Sequence, residues 1–264
     1  RTTPQGFAVH KPTGAMKSKL HNCLIAVCIV AAVGCPAKYR EDLDYTYRVE
    51  QTLSLDEFPS TQLVQYESVD WDPQNCAELR ALISDDNIAA GRNVLEIGTG
   101  AGIISALCLS FGAKRVVTID SNPAAIANAI YNSATLELDD QLDARQVGAE
   151  EAISFAGIQA DERFGLIIVN ATTELEAGSA DSMIESLLDQ LPEHQKSGGR
   201  CIVSSDGHEQ IERWKSGSEQ RGYKFRILPD RVLGDRLLES MDRQVFPAAL
   251  LEIRVPIDQL GEIE

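Results

Sequence analysis

The sequence predicts an α/β fold, a doubly wound and mostly parallel seven-stranded sheet that ends in an antiparallel strand pair. From Val94 onward, apolar strand segments alternate with helical segments, a pattern typical of parallel sheets with helices on both faces. A glycine-rich turn follows the first of these strands, where such sheets bind ligands. The last two strands, Tyr223–Leu228 and Ala249–Val255, have no convincing crossover helix between them, which predicts that they pair antiparallel.

The elements of this core follow from short apolar runs and from helical periodicity. The predicted strands before the closing pair are Val94–Gly98, Arg115–Asp120, Leu142–Val147, Leu166–Asn170 and Arg200–Ser204. The predicted helices bury Ile103, Ile104, Leu107 and Phe111 after the first strand, Ile126, Ala129 and Ile130 after the second, and Met183, Ile184, Leu187, Leu188 and Leu191 after the fourth, and a last helix spans 209–221. Ser121 or Asn122 is expected to cap the second helix, with Pro123 in its first turn.

An N-terminal extension, residues 39–90, precedes this core, which we assign to residues 91–264. Weak alternation over 39–70 predicts a strand face made by Tyr45, Tyr47, Val49 and Leu53. Residues 72–84 are expected to form a helix, with Asp72 as N-cap and Pro73 at the first helical position. Its apolar face carries Cys76, Leu79, Leu82 and Ile83. We expect the extension to form part of the pocket for the second substrate.

The glycine-rich turn after the first core strand predicts a ligand site. Gly98, Gly100 and Gly102 alternate with Thr99 and Ala101, and such a turn lets a ligand lie against bare backbone at a helix N-terminus. Asp120 ends the next strand, where an acid accepts hydrogen bonds from ribose hydroxyls. Together these features predict an adenosine-containing cofactor.

The spacing of the turn decides between two cofactor classes. A dinucleotide fingerprint needs a third glycine at the position that Ile103 occupies here. Glu96 lies two residues before Gly98, and its negative charge is unfavourable for a pyrophosphate but suits a ligand with a sulfonium and an amino group. The chain is therefore not expected to be a nicotinamide-dependent dehydrogenase, which remains the less favoured alternative.

These residues resemble the class I S-adenosylmethionine-dependent methyltransferases, whose first motif is acid-x-Gly-x-Gly-x-Gly and whose second is an acid after the next strand. The resemblance implies the Rossmann-like methyltransferase fold, S-adenosylmethionine as cofactor, and methyl transfer as activity. It implies a cofactor site made of Glu96, Gly98, Thr99, Gly100, Gly102, Asp120, Ser121 and Glu150. Ala149 stands where the family often places an acid for the adenine amino group, so Glu150, the next residue, is the candidate for that role.

Two subfamilies of these methyltransferases, both of which modify proteins, are most similar to the chain. Release-factor glutamine methyltransferases carry Asn-Pro-Pro-Tyr after the fourth strand, and Asn170 matches only its first residue. Ribosomal-protein lysine methyltransferases have a second motif that resembles 111–132, although their glycine-threonine-rich loop is not evident around 58–65. The resemblance implies that Asn170 positions the acceptor, with a turn residue as the alternative; Glu174 is either a base or, more simply, a solvated loop acid.

Composition restricts the partners. The chain has 264 residues and a net charge of −16, so stable binding to nucleic acid is not expected, whereas a basic protein could be attracted by the acidic surface. Cys108 and Cys201 are interpreted as small core residues. The cysteines include no C-x-x-C pair and the four histidines have no metal-ligand spacing, so no metal is expected.

Residues 1–38 form a distinct leader. Met16 starts a segment in which Lys17 and Lys19 precede an apolar run, and small residues precede Cys35, which is the layout of a secretory signal or lipoprotein box. If Met16 is the true start, the protein is exported or attached to a membrane through Cys35. If the leader is spurious, the protein is cytoplasmic.

The function predicted from the sequence is methyl transfer from S-adenosylmethionine, to a nitrogen of a protein side chain. Two alternatives stay open: a small-molecule methyltransferase with the same core, and a non-catalytic cofactor-binding member. The replaced prolines after Asn170 and the alanine at 149 keep the second of these open. The chain has neither a G-x-S-x-G nor an H-E-x-x-H motif, so a hydrolase is not supported.

Overall fold

The computed structural model describes residues 47–149, 154–170, 177–205, 207–228 and 249–260, and in the helix that begins at Ala177 it describes side chains from residue 182 onward. The chain divides into two compact units, Arg1–Asp42 and Leu43–Glu264, and every described residue belongs to the second. The leader at 1–38, with Met16 and Cys35, lies outside the described residues.

A seven-stranded sheet lies at the centre of the described part. The strands are β1 (Val49–Leu53), β2 (Leu63–Tyr66), β3 (Asn93–Ile97), β4 (Arg115–Asp120), β5 (Leu142–Gln146), β6 (Phe164–Val169), β7 (Gln195–Ser205), β8 (Lys224–Ile227) and β9 (Ala249–Arg254). The helices are α1 (Ala77–Ser84), α2 (Ile103–Ser110), α3 (Pro123–Thr135), α4 (Ala177–His194) and α5 (His208–Gln220). The strand order is β5-β4-β3-β6-β7-β9-β8, and β1 and β2 form a separate hairpin.

The strand directions confirm the predicted fold class. Strands β3 to β7 pair in parallel, while β9 runs antiparallel to both of its neighbours, β7 and β8. The parallel strands therefore present their carboxyl ends at one edge, the edge where open α/β sheets bind ligands. Strands β4 and β5 are added on one side of β3 and strand β6 on the other, and this switch point between β3 and β4 and between β3 and β6 gives that edge its crevice.

The core lies on both faces of this sheet because strand residues alternate between them. On β3, Val94 packs in a cluster with α1, α2 and α3, whereas Leu95 and Ile97 pack in a second cluster with α4 and α5. Cys108 and Cys201 are fully buried, as predicted, and burial raises the pKa of the Cys201 thiol to about 12.

The extension differs from its prediction in two places. Tyr45 lies outside the described residues, and a bulge between Val49 and Gln51 breaks the alternation of β1, so Val49 is 49% exposed while Leu53 is buried. The second difference is the start of the helix predicted over 72–84. This helix, α1, begins only at Ala77. The side chain of Asp72 instead accepts a hydrogen bond from the Gln74 amide at 2.8 Å and caps a turn before the helix.

The apolar face predicted for α1 is confirmed, since Cys76, Leu79, Leu82 and Ile83 are all buried. The face predicted for α3 is only partly right. Asn122 is its N-cap, as one of the two expected candidates, and Ala129 is buried. Ile126 and Ile130 are only half-buried, because the inward face carries polar residues, among them Asn128 and Asn132.

These two asparagines attach the hairpin to the core. The side-chain oxygens of Asn132 and Asn128 accept hydrogen bonds from the amides of Val64 (2.9 Å) and Tyr66 (2.8 Å). Their side-chain amides both donate to the Val64 carbonyl, and that of Asn132 also donates to the carbonyl of Ala101 in the glycine turn, at 2.8 Å. The edge of β2 is thus paired with side chains of α3 instead of a further strand.

Candidate functional site

The glycine turn after β3 has a backbone that only glycine accommodates. Gly98, Gly100 and Gly102 have φ angles of 88°, 50° and 74°. A Cβ added to Gly102 would lie 2.3 Å from the Cα of Ala129 in α3, and one added to Gly100 would lie 2.8 Å from the carbonyl oxygen of Asp70. The turn is therefore bare main chain packed closely between α3 and the extension.

Asp120, at the carboxyl end of β4, holds this turn. One carboxylate oxygen accepts hydrogen bonds from the amides of Thr99 (2.9 Å) and Gly100 (3.2 Å), and the other accepts from the amide of Asn122 (2.8 Å). The side chain is only half-buried. Each oxygen of a carboxylate has further acceptor capacity, so the same group remains able to accept from ribose hydroxyls.

Glu96 lies beneath the turn and is completely buried. Its Oε2 accepts hydrogen bonds from the hydroxyls of Ser105 and of Thr118 (3.1 Å), and Thr118 in turn shares a hydrogen bond of 2.7 Å with the Thr99 hydroxyl. Its Oε1 is buried and receives no hydrogen bond from the residues that the structure describes. Burial raises the pKa of Glu96 to about 8, against the hydrogen bonds from Ser105 and Thr118, which lower it.

Residues 67–76, which we call the cover loop, run across the carboxyl edge of the sheet. The loop begins at β4, where the side-chain amide of Asn122 donates to the Ser68 carbonyl. It passes the glycine turn, where the carbonyl of Asp70 lies against Gly100. It ends beside β6, where Cys76 contacts Asn170. The extension was expected to form part of the acceptor pocket, but this loop was not predicted.

Trp71 is the aromatic residue of the cover loop and was missed by the sequence analysis. Its ring packs, partly buried, against the cluster that contains α1, α2 and α3. Its indole Nε1 is buried, and no residue in the described part of the chain accepts a hydrogen bond from it. The signal that could have identified it is a lone tryptophan between two acids, Asp70 and Asp72, just before a helix.

Asn170 directly follows β6, and its backbone amide donates to the Ile97 carbonyl at 2.9 Å. Its side-chain oxygen lies 3.9 Å from Cys76 Sγ, and its side-chain nitrogen lies 3.8 Å from the same atom. Burial raises the pKa of the Cys76 thiol to about 12, so this neighbour is a neutral thiol. Asn170 thus sits at the carboxyl edge, next to the end of the cover loop.

The other predicted site residues are placed as follows. Ser121 is half-buried between Asp120 and Asn122, at the same edge. Ala149 is exposed, while Glu150 and Glu174 lie outside the described residues.

Within the described ranges no group of three histidine, cysteine, aspartate or glutamate residues is placed to hold a metal ion. In the same ranges no helix is long and apolar enough to cross a membrane.

These residues fit an adenosyl cofactor with an amino-acid end. The absence of side chains at Gly100 and Gly102 lets the turn pack against Asp70 and α3, and the carboxylate of Asp120 stands at the end of the neighbouring strand. Two buried polar atoms, the Oε1 of Glu96 under the turn and the Nε1 of Trp71 in the cover loop, have no hydrogen-bond partner among the described residues. Buried polar groups without partners are costly and are often satisfied by a ligand.

Comparison with known proteins decides the family. Residues 77–228 match the family described as ribosomal protein L11 methyltransferase (PrmA), which is more than half of the chain. The chain belongs to this family. It is therefore a member of the class I S-adenosylmethionine-dependent methyltransferase superfamily, as its motifs predicted, and S-adenosylmethionine is the cofactor that its turn is built to bind.

The relatives of this family member are distant. The ribosomal protein L11 methyltransferase of Heliobacterium modesticaldum is 32% identical over 102 residues, which cover 39% of this chain and 31% of the relative. The chain thus spans about a third of the length of the curated relatives it matches first.

Solved structures share the fold. A ribosomal protein L11 methylase from Lactobacillus delbrueckii subsp. bulgaricus superposes with a TM-score of 0.53 at 17% identity, over 71% of this chain and 82% of the other. A 16S rRNA N2 G1207 methyltransferase from T. thermophilus, solved with AdoMet and guanosine, gives 0.55 at 14% identity, over 80% and 51%. Both confirm the Rossmann-like methyltransferase fold.

Proposed function

We propose that this protein transfers the methyl group of S-adenosylmethionine to a nitrogen atom of a protein side chain. The observation that carries the proposal is the arrangement at the carboxyl edge. The bare glycine turn, the Asp120 carboxylate and Asn170 lie side by side on β3, β4 and β6, under one cover loop.

The cofactor half of the site follows from the turn. We expect Asp120 to accept from ribose hydroxyls through the acceptor capacity that its bonds to Thr99, Gly100 and Asn122 leave. Glu96 lies completely buried under the turn, and the positive charge of a ligand beside it would favour its ionised form.

The acceptor half of the site needs little chemistry from the protein. The bound cofactor supplies an activated methyl group, whose bond to sulfur breaks as the bond to nitrogen forms. The protein has to hold the nitrogen in line and keep the site dry. The Asn170 amide, which both donates and accepts hydrogen bonds, is suited to orient it, and the cover loop limits access of water.

The choice of a protein acceptor rests on family membership and charge. The curated relatives are named for ribosomal protein L11, so L11 is the first acceptor to test. The net charge of −16 favours encounter with a basic protein and disfavours stable binding to nucleic acid. The leader and a lipidated Cys35 remain the proposed route to a membrane, if Met16 is the true start.

Calorimetric titration tests the cofactor. S-adenosylmethionine is expected to bind and NAD is not. Asp120→Ala is expected to weaken binding by about 1.5–3 kcal/mol, the magnitude of a hydrogen bond to a charged group. Asp140→Ala, at an exposed site in the turn before β5, is the matched control and should leave the affinity unchanged. Binding of NAD alone would refute the proposal.

Methyl-tritiated cofactor tests the acceptor. Incubation with L11 and with a cell lysate is expected to label protein, and acid hydrolysis should recover the label on a nitrogen of a side chain. Label found only in small molecules would support the small-molecule alternative, and cofactor binding without any transfer would support the non-catalytic alternative.

A further inference from the structure

The position of Trp71 is determined by its neighbours in the chain. The carbonyl of Asp70 lies so close to Gly100 that a Cβ there would approach it to 2.8 Å. Cys76, a few residues later, contacts Asn170 at the end of β6. Trp71 therefore lies between the glycine turn and the acceptor side of the carboxyl edge.

This position is held from both sides. The cover loop follows β2, whose amide and carbonyl groups are bound by Asn128 and Asn132 of α3. Asn132 also donates to the Ala101 carbonyl within the glycine turn. The same side chain thus fixes the hairpin and the turn relative to each other, so the cover loop that carries Trp71 starts from a fixed position beside the turn.

The indole of Trp71 carries a hydrogen-bond donor for which none of the described residues supplies an acceptor. Its ring is packed against the apolar cluster that contains α1, while its Nε1 is buried and lacks an acceptor. An indole N–H can only donate, so the missing partner has to be an acceptor atom. A tryptophan used for packing alone would normally have this N–H satisfied or in water.

The order of the site along the edge identifies that acceptor. Asp120 at the end of β4 marks the ribose, so the amino-acid end of the ligand extends towards the glycine turn and β6, the part of the edge that the cover loop crosses. The amino-acid end has one group that only accepts hydrogen bonds, its carboxylate. A carboxylate is also favoured near the N-terminus of α2, where backbone amides point towards the ligand.

We propose that Trp71 binds the carboxylate of the amino-acid end of the cofactor by donating a hydrogen bond from Nε1. This inference rests on the proposed function, because it assumes that the turn binds S-adenosylmethionine. It adds a binding residue from the extension to a site that otherwise consists of core residues, and it couples the cover loop to the presence of cofactor.

Calorimetry with two ligands tests the assignment. S-adenosylhomocysteine has the amino-acid end, and 5′-methylthioadenosine has the same adenosine and thioether without it. Trp71→Phe keeps an aromatic ring and removes the N–H. It is expected to weaken S-adenosylhomocysteine binding about tenfold, as for a hydrogen bond to a charged acceptor, and to leave 5′-methylthioadenosine binding unchanged.

Fluorescence provides a second readout, because the chain has two tryptophans. Trp214 is buried in α5, within the other hydrophobic cluster. In Trp214→Phe, where only Trp71 emits, S-adenosylhomocysteine is expected to change the emission and 5′-methylthioadenosine to change it much less. In Trp71→Phe, where only Trp214 emits, neither ligand should change it.

The outcomes separate the two proposals. If wild-type protein binds neither ligand, the proposed function fails and this inference fails with it. If wild-type protein binds both ligands but Trp71→Phe binds S-adenosylhomocysteine equally well, only the assignment of Trp71 is overturned. An equal loss of both ligands in Trp71→Phe also overturns it, since it would show a general disturbance of the edge. Circular dichroism of each variant confirms that it is folded.

Discussion

The site has two sides that are held in different ways. One side is the glycine turn with β3 and β4, and the other is the hairpin with its cover loop. The turn is determined locally, by glycines with positive φ angles and by Asp120, whose carboxylate binds the amides of Thr99 and Gly100. The hairpin is held from a distance, by Asn128 and Asn132, more than sixty residues away in the chain. A ligand motif can therefore be read from a short segment, whereas the wall opposite it depends on tertiary contacts.

The largest effect is expected for a side chain inside the turn. Gly102→Ala would combine a left-handed backbone with a Cβ at 2.3 Å from the Ala129 Cα, and should lower the free energy of unfolding by about 4 kcal/mol. Urea denaturation measures it. Gly91→Ala is the matched control, because its φ is 70° but its Cβ would meet nothing within 4 Å, so a loss of about 1 kcal/mol is expected. Equal losses would show that the packing against α3 does not matter.

The next effect concerns the proton on Glu96. Its pKa is raised to about 8 in the folded protein from 4.5, so the folded protein holds a proton that the unfolded chain has lost between these values. The free energy of unfolding contributed by this group therefore falls as the pH rises from about 4.5 to about 8 and is constant above. Glu96→Gln removes this dependence. Between pH 5 and pH 8, the free energy of unfolding of the variant should therefore rise by ~3 kcal/mol relative to that of the wild type.

Urea denaturation of both proteins at several pH values measures this difference. Glutamine keeps an oxygen that accepts from Ser105 and Thr118, so the variant tests the charge and not the hydrogen bonds. Parallel pH profiles for the two proteins would show that Glu96 is ionised throughout this range.

A smaller effect tests the attachment of the hairpin. Asn132→Ala leaves the Val64 amide and the Ala101 carbonyl without this partner, and should destabilise the protein by about 2 kcal/mol. Hydrogen exchange should show faster exchange of the Val64 amide, with β4 unaffected. Ser133→Ala, next to it, is the control: Ser133 is buried and its hydroxyl has no partner within the described ranges, so its loss should cost little. Equal costs would contradict the role of Asn132.

The smallest effect concerns an ion pair that joins the hairpin turn to α1. Glu57 accepts from Arg80 Nε (2.9 Å) and Nη2 (2.6 Å), and both side chains are 14% exposed. A double-mutant cycle with Glu57→Gln and Arg80→Gln should give a coupling energy of about 1 kcal/mol. The exposed pair Glu212–Lys215, at 3.8 Å, should give less than about 0.5 kcal/mol in the same cycle. Similar values for both pairs would show that burial adds nothing.

Most of the core could be predicted from the sequence, because strand and helix periodicities are local. Strand β4 was predicted with both ends correct. The other core strands were predicted to within a few residues, except β7, which begins earlier than predicted, at Gln195. The start of α1 was predicted too early, because Asp72 and Pro73 form an N-terminal signal that serves a turn just as well. The buried face of α3 was predicted only in part, because the helical periodicity of apolar residues does not show that asparagines point inward.

The sequence alone determined the fold class, the cofactor and the glycine turn, because positive φ angles, capping and apolar periodicity act between residues that are close along the chain. Only the tertiary structure decided that Glu96 is completely buried under the turn, that Asn128 and Asn132 bind the edge of β2, and that the cover loop runs from Gly100 to Asn170. These facts depend on how distant segments pack, and a buried polar group takes its partners from whatever the fold brings near it.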